Sequence, residues 1–448
     1  MQEIFDYIDA HAQEYIGRLQ ALCRQPSIAA QGVGMAETAA MVQQMLTDVG
    51  ATARLIPTDG YPVVYGELPG RGPRTLLLYN HYDVQPPEPL ALWTHEPFGA
   101  EIADGRIWAR GVADNKGNLV ARLCAVDAWR QVRGELPLTL KFVFEGEEEI
   151  GSPHLGAFAE AHHTLFQADG CIWESGYKDL QGRLQVALGC KGITYVELRA
   201  RGANRDLHSS NAAIVPNPVW RLVWALQTLK TPDERIAIDG FYDDVRGPSP
   251  RDRELLAAWD FPAEAFRQSL EIPAFLRDAT DEQVKEDLLF QPTCNICGIQ
   301  AGYTGEGSKT VLPNYAFCKL DFRLVPDQRN ERVLALLREH LDRHGFSDIE
   351  VVDLHGEDPA RTDPDHPLVQ AVVRAAQVVY AAPPQLLPSM AGTGPMYHLC
   401  QRWGIGAVGS GVGHADSRNH APDENIFVDD FIQGIKHMAQ VFQEFAAS

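Results

Sequence analysis

Basic residues are in short supply in this 448-residue chain. It has 39 Lys and Arg against 60 Asp and Glu, a formal net charge of −21. Phosphate binding needs clustered cations, so this balance argues against nucleic acid as a partner. It argues equally against anionic membrane surfaces. Long apolar runs are missing too. No stretch approaches the roughly 18 apolar residues a bilayer-spanning helix requires. The opening residues MQEIFDYIDAHAQEYI have neither the basic segment nor the apolar core of a secretion signal, so a cytoplasmic protein is expected. Cysteine is sparse: eight are scattered along the chain, with no disulfide framework. The single CxxC, Cys294 and Cys297, has no second pair to complete a structural zinc site, so the cysteines are read as reduced and mostly buried. There is no internal repeat and no low-complexity segment. What remains is an ordinary globular composition, with 45% hydrophobic residues, which excludes disorder as the main state. The length calls for about two domains.

Helical spacing of apolar residues runs over 3–24, and a second helix fits Glu37–Val49, ending at Gly50. Short β-like runs follow at Ala53–Ile56, Val63–Glu67 and Thr75–Tyr79. Lys116–Val132 reads as a helix, and Thr139–Phe144 and Gly170–Trp173 as strands. This alternation points to an α/β layered domain. From about Cys190 the pattern changes. Ile193–Ala200 and Val311–Leu324 read as strands, Pro218–Thr228 and Glu331–His344 as helices, and Ile349–Val352 as a closing strand. This stretch is expected to be an α+β domain inserted in the first, whose features resume near Leu354 and end in a helix over Asp429–Ala446.

Polar residues sit where the strands of the first domain end. Thr75–Tyr79 runs into Asn80-His81-Tyr82-Asp83, Thr139–Phe144 into Glu145 and the run Glu147-Glu148-Glu149, and Gly170–Trp173 into Glu174. Asp114, in Gly111-Val112-Ala113-Asp114-Asn115-Lys116-Gly117, precedes a helix. Ligands of open α/β sheets gather at the carboxyl ends of strands, so these segments are expected to converge. Carboxylates brought together repel one another unless a cation offsets them. A mixed histidine and carboxylate set suits zinc, manganese or cobalt better than calcium. A second histidine must come from elsewhere, and His414 and His420 are available. Singly, each residue has a dull alternative: a hydrogen-bonded surface histidine, a helix N-cap, a solvated acidic loop.

The ordered set HYDVQP, RGVADNKG, EGEEEIGS, DLHSS, KTVLPNYAFCKLDFRLVP and NHAPDEN resembles the M20 family of metallopeptidases. That group includes carnosine dipeptidases, acetylornithine deacetylase, succinyl-diaminopimelate desuccinylase and carboxypeptidase G. The resemblance spans roughly residues 10 to 440 and leans to the dipeptidase branch. It implies a zinc-peptidase-like α/β catalytic domain, a mixed sheet flanked by helices, over 1–189 plus 355–448. An α+β lid and dimerisation domain would occupy 190–354. It implies two divalent ions, zinc foremost, with manganese or cobalt as alternatives.

Residue by residue, the resemblance makes His81, Asp114, Glu149, Glu174 and His420 the metal ligands. Asp114 would bridge the two ions, and the Asp114–Asn115 peptide would be cis. Asp83 would support His81 from behind. Glu148 would be the general base acting on a metal-bridging hydroxide, leaving Glu147 outside the pattern. His420 is preferred over His414 because Glu424 follows four residues later. His208 is expected to donate to the oxyanion, from the partner protomer of a homodimer. Arg323 is expected to bind the substrate carboxylate, with Thr310 and Thr393 as polar substrate contacts. Ala391 replaces a glycine common in the dipeptidase branch. The implied activity is hydrolysis of dipeptides or short peptides. The alternative is an N-acyl-amino-acid deacylase, and a catalytically dead binding protein is disfavoured because the base and all five ligands are present.

Overall fold

The computed structural model describes residues 1–448. The chain divides into two compact units. The first comprises Met1–Gly189, Arg361–Ser389 and Pro395–Ser448, and the second Cys190–Ala360 with Met390–Gly394. The junction expected after 354 falls inside the strand Glu350–Glu357, which pairs within the second unit's sheet.

The first unit is built on an eight-stranded mixed sheet. Its order is Thr52–Ile56, Val63–Leu68, Thr139–Glu145, Thr75–His81, Gly170–Trp173, Ala407–Gly409, Gln185–Ala187 and Gln385–Leu387. The strands Thr139–Glu145, Thr75–His81, Gly170–Trp173 and Ala407–Gly409 are mutually parallel neighbours. They are buried nearly throughout, which is why their sequences are apolar runs rather than alternations. Being parallel, all four present their carboxyl ends along one edge. The helix Gly117–Arg133 packs against Val428–Ala446, which in turn packs on Pro367–Val379. The helix expected over 3–24 is two, Gln2–Ala10 and Ala12–Arg24, interrupted at His11.

The second unit carries a four-stranded antiparallel sheet in the order Asn295–Ala301, Tyr315–Leu324, Gly192–Arg201 and Glu350–Glu357. Alternate residues of the central strands (Val196, Leu198, Leu320, Phe322) meet Leu222 and Ala225 of Pro218–Leu229 and Leu336 and Leu337 of Asn330–Arg343. The strand expected over Val311–Leu324 is broken. Val311–Leu312 pairs with Leu207–His208, and a new strand starts at Tyr315. Pro313 lacks the N–H that a continuous ladder needs, and Asn314 N donates to Asp206 Oδ1 instead. The charged segment before Cys294 folds into short helices, Pro250–Ala258, Ala263–Ser269 and Asp281–Phe290. Two of them open on capping boxes, Ser249 with Asp252 and Thr280 with Gln283. No helix is long and apolar enough to cross a membrane.

Candidate metal centre

The parallel strands deliver their side chains to one place. His81 is the last residue of its strand, Glu174 follows Trp173, and Glu148 and Glu149 lie in a 3₁₀ turn just beyond Glu145. Asp114 arrives from the turn before Gly117–Arg133, and its peptide to Asn115 is cis. His420 comes from the loop after Gly413–His414, with a left-handed backbone at φ 60°.

The Asp114 carboxylate sits between the two histidines. Its Oδ1 lies 3.0 Å from His81 Nε2, and its Oδ2 lies 3.4 Å from His420 Nε2. Glu174 Oε2 is 3.9 Å and Glu148 Oε2 4.0 Å from His81 Nε2. On the other side, Glu149 Oε2 is 3.0 Å from His420 Nε2 and accepts from Gln85 Nε2. Ligand atoms of His81, Asp114 and Glu149 all lie within 4.8 Å of one another. The cluster therefore has two halves sharing one carboxylate, His81 with Glu174 and His420 with Glu149.

Backbone and side-chain donors hold this arrangement from outside. His81 Nδ1 lies 3.1 Å from Asp83 O and 3.3 Å from Asp83 Oδ1, which turns Nε2 toward Asp114. The Asp83 carboxylate also accepts from the backbone N–H groups of Glu148 and Glu149, so one residue orients both sides of the cluster. Asn419 Nδ2 donates to Asp114 Oδ2 at 2.9 Å. Glu424, buried, accepts from Arg110 Nη1 and Gly111 N with one oxygen and from Ala113 N and Asp114 N with the other. This cradle fixes the turn that presents Asp114. Gly111, at φ 83°, permits it, because a Cβ there would sit 2.3 Å from Val84 Cγ1.

The electrostatics call for a cation. Burial pushes the Glu148 carboxyl well above its usual range, and the charge of Glu174 adds to it. Burial likewise pushes Glu174 up to about 7 and raises Glu149. Burial opposes protonation of His81, yet hydrogen bonds to Asp114 and Asp83 raise its pKa well above normal. Bonds to Asp114 and Glu149 raise His420 to about 10. Burial disfavours the Asp114 anion, but the two histidines hold it below the usual carboxylate range. Glu149 Oε1 and Glu174 Oε2 are buried without any hydrogen-bond partner. Orphaned carboxylate oxygens facing a shared cluster are what divalent ions would satisfy, so the residues present fit such a group.

The remaining expected residues fall elsewhere. His414 is buried and committed locally, with Nδ1 accepting from Asp416 N and Nε2 3.0 Å from Asn425 Oδ1. Glu147 is buried and pairs with His154 Nδ1 at 2.8 Å. Glu145, also buried, accepts from Tyr79 Oη and Ser152 Oγ, and burial pushes it up to about 8. In the second unit, Arg323 Nη1 donates to Thr393 Oγ1 at 2.7 Å, and its Nε lies 3.4 Å from Asp321. His208 is exposed on the short Leu207–His208 strand, where its Nδ1 accepts from Ser210 N. Thr310 O accepts from Ser209 N, so Thr310 stands beside the His208 turn. Arg110, Asn419 and the donor cradle around Glu424 escaped sequence reasoning. Glu424 alone carried a signal, its spacing from His420.

A metallo-carboxypeptidase of the M20 family from Sulfolobus solfataricus superposes with a TM-score of 0.91 at 41% identity, covering 97% of this chain and 100% of that one. Human carnosine dipeptidase 1 superposes at 0.77 with 26% identity, each chain fully covered. A Cys-Gly metallodipeptidase from Schizosaccharomyces pombe is 26% identical over 100% of this chain and 98% of its own length. The profile of peptidase family M20/M25/M40 matches residues 77–444, and with it the chain is placed as a metallopeptidase belonging to that family.

Proposed function

We propose that the chain is a two-metal peptidase that releases the C-terminal residue of dipeptides or short peptides. The observation that carries this reading is the Asp114 carboxylate, with one oxygen toward His81 and the other toward His420. In this reading His81 and Glu174 hold one divalent ion, His420 and Glu149 the other, and Asp114 both. Bound there, the ions would supply Lewis acidity toward the scissile carbonyl and make water acidic enough to be deprotonated near neutral pH. Glu148, whose Oε2 lies 4.0 Å from His81 Nε2, would take that proton on its carboxylate and pass it to the leaving nitrogen. An environment that raises its pKa suits a group that must both accept and deliver a proton near neutrality. His208, whose Nδ1 already accepts, keeps its proton on Nε2 and offers it to the developing oxyanion.

Arg323 reads the substrate's free carboxylate. Asp321 and Thr393 orient its guanidinium, which suits bidentate recognition. The choice of zinc follows the donor set, and manganese or cobalt would fit the same ligands. A homodimer through the second unit, with His208 acting on the partner's site, belongs to the same reading. Mixed His208→Ala and Glu148→Ala protomers should regain activity on subunit exchange; no recovery despite proven exchange rejects it. Cys23, Cys124, Cys171, Cys294 and Cys318 are buried free thiols and Cys297 an exposed one, in keeping with a cytoplasmic location.

Dipeptidase is the first reading, since the curated relatives include a Cys-Gly metallodipeptidase and a Beta-Ala-His dipeptidase. A second reading, carboxypeptidase, is favoured by the 41% identity to an enzyme of that description. A panel separates them: a dipeptide, its C-terminal amide, its N-acylated form, a tripeptide and an N-acetyl amino acid. A dipeptidase cleaves the free dipeptide best. A carboxypeptidase prefers the N-acylated dipeptide and the tripeptide, and a deacylase cleaves only the N-acetyl amino acid. Cleavage of the amide as fast as the free acid would remove Arg323 from the carboxylate role.

A further inference from the structure

Glu174 differs from the other residues of the cluster in how its backbone is held. Its carbonyl oxygen is a node for three side-chain donors: Asn115 Nδ2 at 2.9 Å, Arg122 Nη2 at 3.0 Å and Asn80 Nδ2 at 3.4 Å. Its carboxylate Oε2, by contrast, is buried and has no hydrogen-bond partner, with His81 Nε2 nearby at 3.9 Å. The main chain is pinned while the side chain is left available.

Arg122 is the centre of this network. It lies on the helix Gly117–Arg133 and is one of the largest fully buried side chains of the molecule. Its guanidinium bonds only neutral oxygens. Nη1 donates to Tyr79 O, to Asn80 Oδ1 at 2.6 Å and to Ile172 O at 3.5 Å, while Nη2 donates to Trp173 O, to Glu174 O and to Ser410 O at 3.2 Å. These acceptors are the carboxyl ends of three adjacent parallel strands, Thr75–His81, Gly170–Trp173 and Ala407–Gly409. One planar fork thus ties together the strand ends carrying His81 and Glu174. The Asn80 side chain extends the tie, donating in turn to Asn115 Oδ1 beside Asp114. Nothing comparable reaches His420 or Glu149, which are held by Asp114, Gln85 and Asp83 instead.

A buried arginine is an expensive way to satisfy carbonyls, since its charge has been taken out of water without a carboxylate bonded to it. We propose that Arg122 is a positioning residue for one half of the metal cluster: by fixing the strand ends it sets the separation of His81 and Glu174, and with it the affinity of the ion they share. The inference rests on the two-metal reading above and adds an asymmetry to it. Lysine at this position would keep the charge but lose the fork, so Arg122→Lys isolates geometry from electrostatics.

The test is a cobalt(II) titration of the chelator-stripped, full-length protein, read by visible absorption and by competition with a chromophoric chelator. The wild type should take up two ions in two resolvable steps. Glu174→Gln should remove one step and His420→Ala the other, which labels them. Arg122→Lys should weaken the Glu174 step by about 10–100-fold, the usual effect of disturbing groups behind a metal ligand. Its absorption band should change while the His420 step stays within about threefold. Should Arg122→Lys not fold, as judged by its melting curve, Asn80→Ala removes one arm of the same network and should weaken the same step. Equal weakening of both steps, or no change in either, overturns the role of Arg122. A wild type binding fewer than two ions instead overturns the two-metal reading itself.

Discussion

Replacing Glu424 by glutamine tests whether the turn presenting Asp114 is held as the hydrogen bonds indicate. The substitution preserves size. It leaves one acceptor oxygen where there were two, and turns an NH₂ group toward donors. Glu424 and Arg110 are each about 1% exposed, so water does not compensate either. If the amide nitrogen faces Ala113 and Asp114, two buried backbone N–H groups lose their acceptor, at about 1–3 kcal/mol each. In either orientation the buried Arg110 guanidinium loses its counter-charge, at about 3–5 kcal/mol, and with the nitrogen toward Arg110 and Gly111 it also loses its acceptor. Either orientation predicts a loss of at least about 3 kcal/mol. Urea unfolding of the chelator-stripped protein, followed by circular dichroism, measures it free of linkage to bound ions. Arg110→Met in the glutamine background should recover part of the loss, because the two residues share one interaction. A loss below about 1 kcal/mol, or strict additivity of the two substitutions, would refute the cradle.

Glu148→Gln should retain both ions and lose about 10²–10⁴-fold in kcat. Glu147→Gln should change kcat little, because Glu147 is tied to His154. The reverse pattern in kinetics and metal content would show that the glutamate run has been read out of register. His437 gives a pH dependence. It is buried between Ser410 and Val372 O, and burial pulls its pKa down to about 4. Against an unfolded value near 6.5, its contribution is complete above pH 6.5 and is lost as pH falls toward 4, by about 3 kcal/mol. The melting temperature of His437→Gln should therefore fall less steeply than the wild type's over that window; parallel slopes would contradict the assignment.

The strands that end in the cluster were legible because each is a short apolar run stopping at a polar residue. Thr75–His81, Thr139–Glu145 and Gly170–Trp173 lie within two residues of their expected limits. The break at Pro313 carried a local signal that the apolar pattern on both sides concealed. What supports the cluster was not legible. Arg110 meets Glu424, and Arg122 meets Ser410, across some three hundred residues of sequence. Neither arginine belongs to a periodicity that marks it as buried. Arg122 reads in the sequence as one polar position in a helix, and only the parallel pairing of strands distant in the chain gives it acceptors.

The central claim, a cluster that works by holding two divalent ions, is tested most directly by counting ions against activity. Chain stripped by chelator should hydrolyse no dipeptide. Stepwise addition of zinc or manganese should restore hydrolysis, reaching its plateau at two ions per chain, with the melting temperature rising in parallel. Hydrolysis undiminished in stripped protein, a plateau at a single ion, or one melting temperature for stripped and refilled chain would contradict it.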